Sequence, residues 1–224
     1  MSLPIAVLVS GSGSNLQAVI DRIEEGVLDA RITLVLSNKP DAHGLARAKL
    51  HNLQHICIPH AQYPDRLEFD RAMVRAIQSS GAQAVVLAGF MRMLTPEFLQ
   101  AFPGRVINIH PALLPSFPGV HGQRDAADYG VTVSGCTVHF VDEIMDHGPV
   151  IIQAAVPAYL EDDGETLGSR ILAMEHRVLP QAVQWLATDR LRVEGRKVRL
   201  LPSGLPKADP APDALVNPPL EQGF

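Results

Sequence analysis

Short, continuous apolar runs alternate along this chain with longer segments whose apolar residues recur every three to four positions. Ile5-Ala6-Val7-Leu8-Val9 is the first run, of strand length, and the polar residues Ser10 to Asn15 separate it from a helical pattern over 16–25. A second run at 31–36 stops at Asn38-Lys39-Pro40, a short helix is expected over 44–51, and a third strand over 55–58. Runs of this length suit strands covered on both faces, and their alternation with helices predicts βαβ units and a parallel sheet. The clearest helix lies over 65–80. There Phe69, Ala72, Met73, Ala76 and Ile77 fall at i, i+3, i+4, i+7 and i+8, and Gly81 stands where a helix stops.

The second half changes character. A strand at 84–89 leads into the apolar loop Phe90-Met91-Arg92-Met93-Leu94 and a short helix from Pro96. The β-branched run Val106-Ile107-Asn108-Ile109-His110 then breaks at Pro111. A proline-rich stretch over 114–119 and a short helix over 125–129 precede two strands, 135–141 and 150–153, joined by an acidic loop that contains Gly148. This hairpin-like unit makes the later sheet mixed. A long helix over 166–188 carries Leu167, Ile171, Val178, Leu179, Ala182, Val183 and Leu186 on its buried stripe, with Pro180 expected to bend or interrupt it. A hairpin over 191–200 turns at Gly195-Arg196. The fold expected is α/β, a Rossmann-like open sheet with a parallel N-terminal half, a mixed C-terminal part and helices on both faces. One domain is expected over 1–200. The tail over 201–224 is proline-rich and aperiodic, so it is expected to be extended or disordered.

Composition narrows the partners. With 224 residues, 46% of them apolar and 19% charged, the chain can bury one sizeable core. A net charge of -5 and no basic face disfavour nucleic acid, and no apolar run reaches 18 residues, so no membrane span is expected. Met1-Ser2-Leu3-Pro4 enters a strand without a signal core, so a cytoplasmic location is expected. Cys57 and Cys136 are too few for a disulfide framework or a CxxC motif. The nine histidines form no ligand set with a Cys or carboxylate, so no metal is expected.

Candidate chemistry sits at the ends of strands. Strand, glycine loop and helix form an anion-binding arrangement, because glycines let backbone N–H groups approach a ligand and the helix adds its positive end. A Rossmann fingerprint would need Gly or Ala where Leu16 stands and an acidic residue where Ser37-Asn38 stand; a Walker loop would need Gly-Lys-Ser/Thr. A phosphomonoester suits Gly13, Ser14 and Asn15 better. Asn108 and His110, two apart on one strand, face the same space beyond its carboxyl end, where open α/β sheets bind ligands. Asp146 lies in a glycine-containing loop, where it either makes a turn or swings toward the strand mouth. Glu175 falls on the buried stripe of the long helix, where a carboxylate must reach water or a ligand. Arg66, in the first turn of its helix, opposes the helix dipole; it is either an ordinary solvated arginine, the preferred reading of the residue alone, or the partner of an anion. The loop from Phe90 to Leu94 is either core or the wall of a pocket for a flat, apolar ligand.

Taken together and in this order, Ser10-Gly11-Ser12-Gly13-Ser14-Asn15-Leu16, Leu87-Ala88-Gly89-Phe90-Met91-Arg92, Asn108-Ile109-His110-Pro111 with Leu113-Leu114-Pro115, and Asp146-His147-Gly148-Pro149 resemble the 10-formyltetrahydrofolate-dependent formyltransferases. The resemblance runs from about Ile5 to Leu200 and is nearest to members that formylate glycinamide ribonucleotide in purine biosynthesis. It implies that Asn108, His110 and Asp146 are catalytic and that Gly13, Ser14 and Asn15 hold the ribotide phosphate. It also implies that Glu175 binds the ribose hydroxyls, and that Arg66, Met91, Arg92, Met93, Leu94, Asn108, Val141, Asp142 and Asp146 surround the folate. Ser116, Gln123 and Leu172 depart from the family pattern, which more often carries Lys, a second His and a polar residue there. Assembly as a homodimer is left open.

The chemistry suits these side chains on its own terms. An amine attacking a formyl carbon makes a tetrahedral oxyanion, opposed by the Asn108 amide and a protonated His110, while Asp146 accepts the amine's proton and supports the imidazolium. Two related enzymes share these residues, a formyltetrahydrofolate hydrolase and a methionyl-tRNA formyltransferase. They are expected to carry, respectively, an added N-terminal regulatory domain and a basic C-terminal one, and neither is expected here. A phosphosugar-binding module without catalysis is the alternative from another class.

Overall fold

The computed structural model describes residues 2–224, which fall into two compact units: residues up to Asn108 with Val141–Glu143, and Ile109–Phe140 with Ile144–Phe224.

In the first unit β1 (Leu3–Val9), β2 (Ala30–Ser37), β3 (His55–Cys57), β4 (Ala84–Leu87) and the first residues of β5 (Val106–His110) pair in parallel, in the order β3-β2-β1-β4-β5. All seven residues of β1 are buried, as a strand with helices over both faces requires. Alternate side chains of β1 point to opposite faces. Ala6 and Leu8 join a core cluster with Phe69, Met73 and Ile77 of α3 (Arg66–Ser79), whereas Val9 meets Gly44 of α2 (His43–Leu50). α1 (Ser14–Glu24) and α4 (Pro96–Ala101) complete the unit. α3 follows from its sequence at every point. Asp65 caps it by accepting from the Glu68 N–H at 2.9 Å, its stripe is buried at Phe69, Met73 and Ile77 and half-buried at Ala72 and Ala76, and Gly81 follows in the left-handed conformation at φ 76. Each large side chain of that stripe contributes about 2 kcal/mol of burial.

The second unit begins in β5 and is mixed. α5 (Gly122–Tyr129) packs on α6 (Gly164–Ala187), which covers β6 (Val133–Phe140) and β7 (Val150–Pro157). β6 and β7 are antiparallel, β9 (Lys197–Leu200) meets the start of β7 in parallel, and β8 (Leu191–Glu194) pairs antiparallel with β9. α6 starts two residues before the apolar stripe suggested, because Asp163 and Thr166 form a capping box. Pro180 neither breaks nor ends α6. It is buried, as are Val178, Leu179, Ala182 and Val183, and burial of an apolar face can carry a helix through one lost hydrogen bond.

Residues 201–224, expected to be extended or disordered, are extended but docked. β10 (Leu215–Asn217) pairs antiparallel with β7, and Leu220 and Phe224 are buried. The Glu221 carboxylate accepts from Arg190 at 2.7 and 3.0 Å, from Ser203 at 2.7 Å and from Trp185 Nε1–H at 3.1 Å. Burial alone would raise its pKa, but those donors outweigh burial and hold it below the usual carboxyl range. Local pattern cannot signal such order, because it rests on donors brought in from α6 and the segment after it.

Candidate active site

The glycine loop of the first unit is where its sequence placed it, between β1 and α1. Ser10 is buried and fixes the strand end: its hydroxyl donates to Asn38 Oδ1 at 2.6 Å and accepts from the Met91 N–H at 2.8 Å. Gly13 caps α1 in the left-handed conformation at φ 68, and a Cβ there would stand 2.6 Å from the Gly44 Cα. Only glycine satisfies both the dihedral and the close approach. Ser14 opens α1, and Asn15 is buried in its first turn.

The apolar loop after β4 resolves into two parts. Phe90 and Leu94 are core residues, while Met91, Arg92 and Met93 are exposed. Arg66, the first residue of α3, is also exposed. Beneath this loop Asp70 is fully buried; its Oδ2 accepts from the Thr95 N–H at 2.6 Å and its Oδ1 has no hydrogen-bond partner. Burial raises the Asp70 pKa, against the lowering influence of Thr95 and of the charges on Arg66 and Arg92. Val141 donates its N–H to the Val106 carbonyl at 3.0 Å and packs on the core cluster, with Asp142 half-buried beside it. Asn108, half-buried, closes the unit on β5 opposite Leu87.

Two residues further along β5, in the second unit, His110 is only 3% exposed. Its Nε2–H donates to the Phe117 carbonyl at 2.8 Å, and Nδ1 lies 3.6 Å from Asp146 Oδ2. That separation is too long for a hydrogen bond. The same carboxylate oxygen accepts from the Gly119 N–H at 2.7 Å, and His139 Nε2 lies 3.9 Å from Asp146 Oδ1. Asp146 adopts φ 53, a left-handed conformation that Asp tolerates better than most residues and that suits a turn. Thr137 steadies the chain that leaves β5, donating to the Ala112 carbonyl at 2.7 Å and accepting from the Leu114 N–H at 3.1 Å. Gly122 packs so near that a Cβ would come within 3.2 Å of His110 Nε2. Glu175, on α6, is 6% exposed, as its place on the stripe implied.

Sequence reasoning missed His139, Gly119 and the Phe117 carbonyl. The first left a faint signal, an imidazole at the end of an otherwise apolar strand; the other two act through main chain. Among the described residues no group of three or more His, Cys, Asp or Glu side chains could hold a metal ion, and no helix is long and apolar enough to cross a membrane.

Residues 3–183 match the formyl transferase family model. Over 91% of its length the chain is 40% identical to the phosphoribosylglycinamide formyltransferase of Haemophilus influenzae, of which it covers 96%. It is similar in structure to glycinamide ribonucleotide transformylase 1 of Symbiobacterium toebii, with a TM-score of 0.88, 48% identity, and 90% of this chain and 95% of that one covered. It is also 47% identical, over 84% of its length, to the trifunctional purine biosynthetic protein adenosine-3 of Drosophila pseudoobscura pseudoobscura, of which it spans only 14%.

Proposed function

The chain belongs to the formyl transferase family, and on that premise we propose that it transfers the formyl group of 10-formyltetrahydrofolate to the amine of glycinamide ribonucleotide, in purine biosynthesis. The observation that carries this reading is the buried pair of His110 and Asp146 at the end of β5, with the Gly119 N–H on the shared carboxylate oxygen. The amine nitrogen attacks the formyl carbon, and the carbonyl electrons move onto oxygen. Collapse of that intermediate breaks the bond to N10 of the folate; the amine gives up one proton and N10 takes one.

Asn108 and His110 oppose the oxyanion, the first through its amide N–H and the second through the positive charge of the imidazolium. With Nε2–H engaged by the Phe117 carbonyl, Nδ1 is the nitrogen that faces the carboxylate. Asp146 accepts the amine's proton. Gly13, Ser14 and Asn15 hold the ribotide phosphate through main-chain donors at the start of α1, and Glu175 takes the ribose hydroxyls. Met91, Met93, Val141, Asp142 and the main chain at Leu94 frame the pterin, and Arg66 and Arg92 meet the glutamate carboxylates of the folate.

The test follows deformylated folate spectroscopically with and without the ribotide. Turnover that requires the ribotide is expected. Release of the deformylated folate without it would mean hydrolysis, and ribotide binding without turnover would leave a phosphosugar-binding module.

A further inference from the structure

The glycine loop is held from behind by α2. A trans peptide is planar, so the carbonyl of one residue and the N–H of the next point in opposite directions. The Gly11 carbonyl accepts from the Gly44 N–H at 3.0 Å, which turns the Ser12 N–H away from α2. The Ser12 carbonyl accepts from Arg47 Nε–H at 2.9 Å, which turns the Gly13 N–H away from Arg47. The Gly13 carbonyl accepts from the Gln17 N–H at 2.9 Å, so the Ser14 N–H points out of the start of α1. Three successive N–H groups are thereby aimed by what holds the carbonyls before them. Two of those ties are main chain; the third is the side chain of Arg47. The same guanidinium donates from Nη1 to Gln17 Oε1 at 3.2 Å, joining α2 to the first turn of α1.

We propose that Arg47 is the positioning residue of the phosphate-binding loop: without touching the ribotide, it fixes the Ser12–Gly13 peptide so that the Gly13 N–H is already aimed at the phosphate. This rests on the reading that the loop holds that phosphate. Arginine suits the task because its planar fork reaches two acceptors at fixed angles while keeping its charge, whereas a lysine ammonium brings charge without the fork. An N–H aimed in advance needs no reordering when the anion arrives, and affinity is gained through the ordering that is avoided.

Steady-state kinetics on Arg47→Met and Arg47→Lys, with the ribotide and with its dephosphorylated riboside, test the inference. Misaiming the Gly13 N–H, one charge-assisted donor to the anion, predicts a KM for the ribotide roughly tenfold higher in Arg47→Met. The KM for folate, kcat at saturation and the melting temperature should hardly move. Arg47→Lys should recover only part of the loss, and both variants should prefer the ribotide over the riboside less than the native protein does. If the native protein shows that preference and Arg47→Met keeps it in full, the positioning role is overturned while the phosphate reading stands. If the native protein shows no preference, the phosphate reading fails and takes this inference with it. Should Arg47→Met fold poorly, Arg47→Lys carries the same test, and a fully native ribotide KM in that variant overturns the need for the fork.

Discussion

The two units handle polar groups differently. The first presents main chain: its glycine loop depends on φ 68 at Gly13, a contact with Gly44 that excludes any Cβ, and carbonyls tied back by α2. The second works with side chains, an imidazole and a carboxylate whose neighbours are another imidazole and a backbone N–H. The glycine loop should therefore tolerate changes to its own serine side chains but not a Cβ at Gly13, whereas the pair at the end of β5 should depend on the chemistry of its side chains.

Asp146→Asn is the strongest challenge to the second half of that statement. It keeps the shape and removes the basic oxygen and the charge, so kcat should fall roughly a hundredfold or more with ligand binding nearly intact. Full turnover in this variant would reduce Asp146 to a turn residue. Gly13→Val makes the matching change in the first unit. With its Cβ driven against the Gly44 backbone, ribotide affinity should drop by about tenfold or more while folate affinity holds, as calorimetry with each ligand would show. An unchanged ribotide affinity would remove the loop from the phosphate.

The contrast extends to buried carboxyls. Glu221 in the second unit is well supplied with donors, and Asp70 in the first has one oxygen without a partner. The Glu221 pKa is lowered by folding, so its contribution is present above the ordinary carboxyl pKa and fades as pH falls through the folded value. Glu221→Gln sets an amide against the donors of Arg190, Ser203 and Trp185. Denaturant titrations should show a loss of about 2 kcal/mol at neutral pH that shrinks in acid. The Asp70 pKa is raised, so its contribution is present below the ordinary carboxyl pKa and is lost as pH rises through the folded value. Asp70→Asn keeps the acceptor for Thr95 and should change neutral stability by less than about 1 kcal/mol, in the favourable direction, while flattening the pH profile. Smallest of all is Ser12→Ala. It leaves every main-chain donor of the loop in place, and ribotide KM should stay within about twofold.

What could be read from the sequence divides along the same line. β1, α3 and the glycine loop were legible because their signals are local: a continuous apolar run, a stripe with its cap and stop, glycines between strand and helix. Asn108 and His110 were singled out as candidates because strand alternation sends residues two apart to one side. His139 was not, since its proximity to Asp146 comes from the fold of the loop after β6. The docking of residues 201–224 was not legible either. Proline content reads as disorder, while the order comes from Glu221 meeting partners that precede it by 18 to 40 positions.

The pairing of β10 with β7 also bears on the order in which the protein is made. β7 offers its outer edge to Leu215–Asn217, which lie about sixty residues further along the chain. During synthesis that edge therefore waits, with unpaired N–H and carbonyl groups, until the last strand has been translated. Another nascent copy could pair there in the meantime. Slow elongation or premature termination in the stretch after β9 would lengthen this exposure, so the yield of native protein should depend on how quickly those closing residues are delivered.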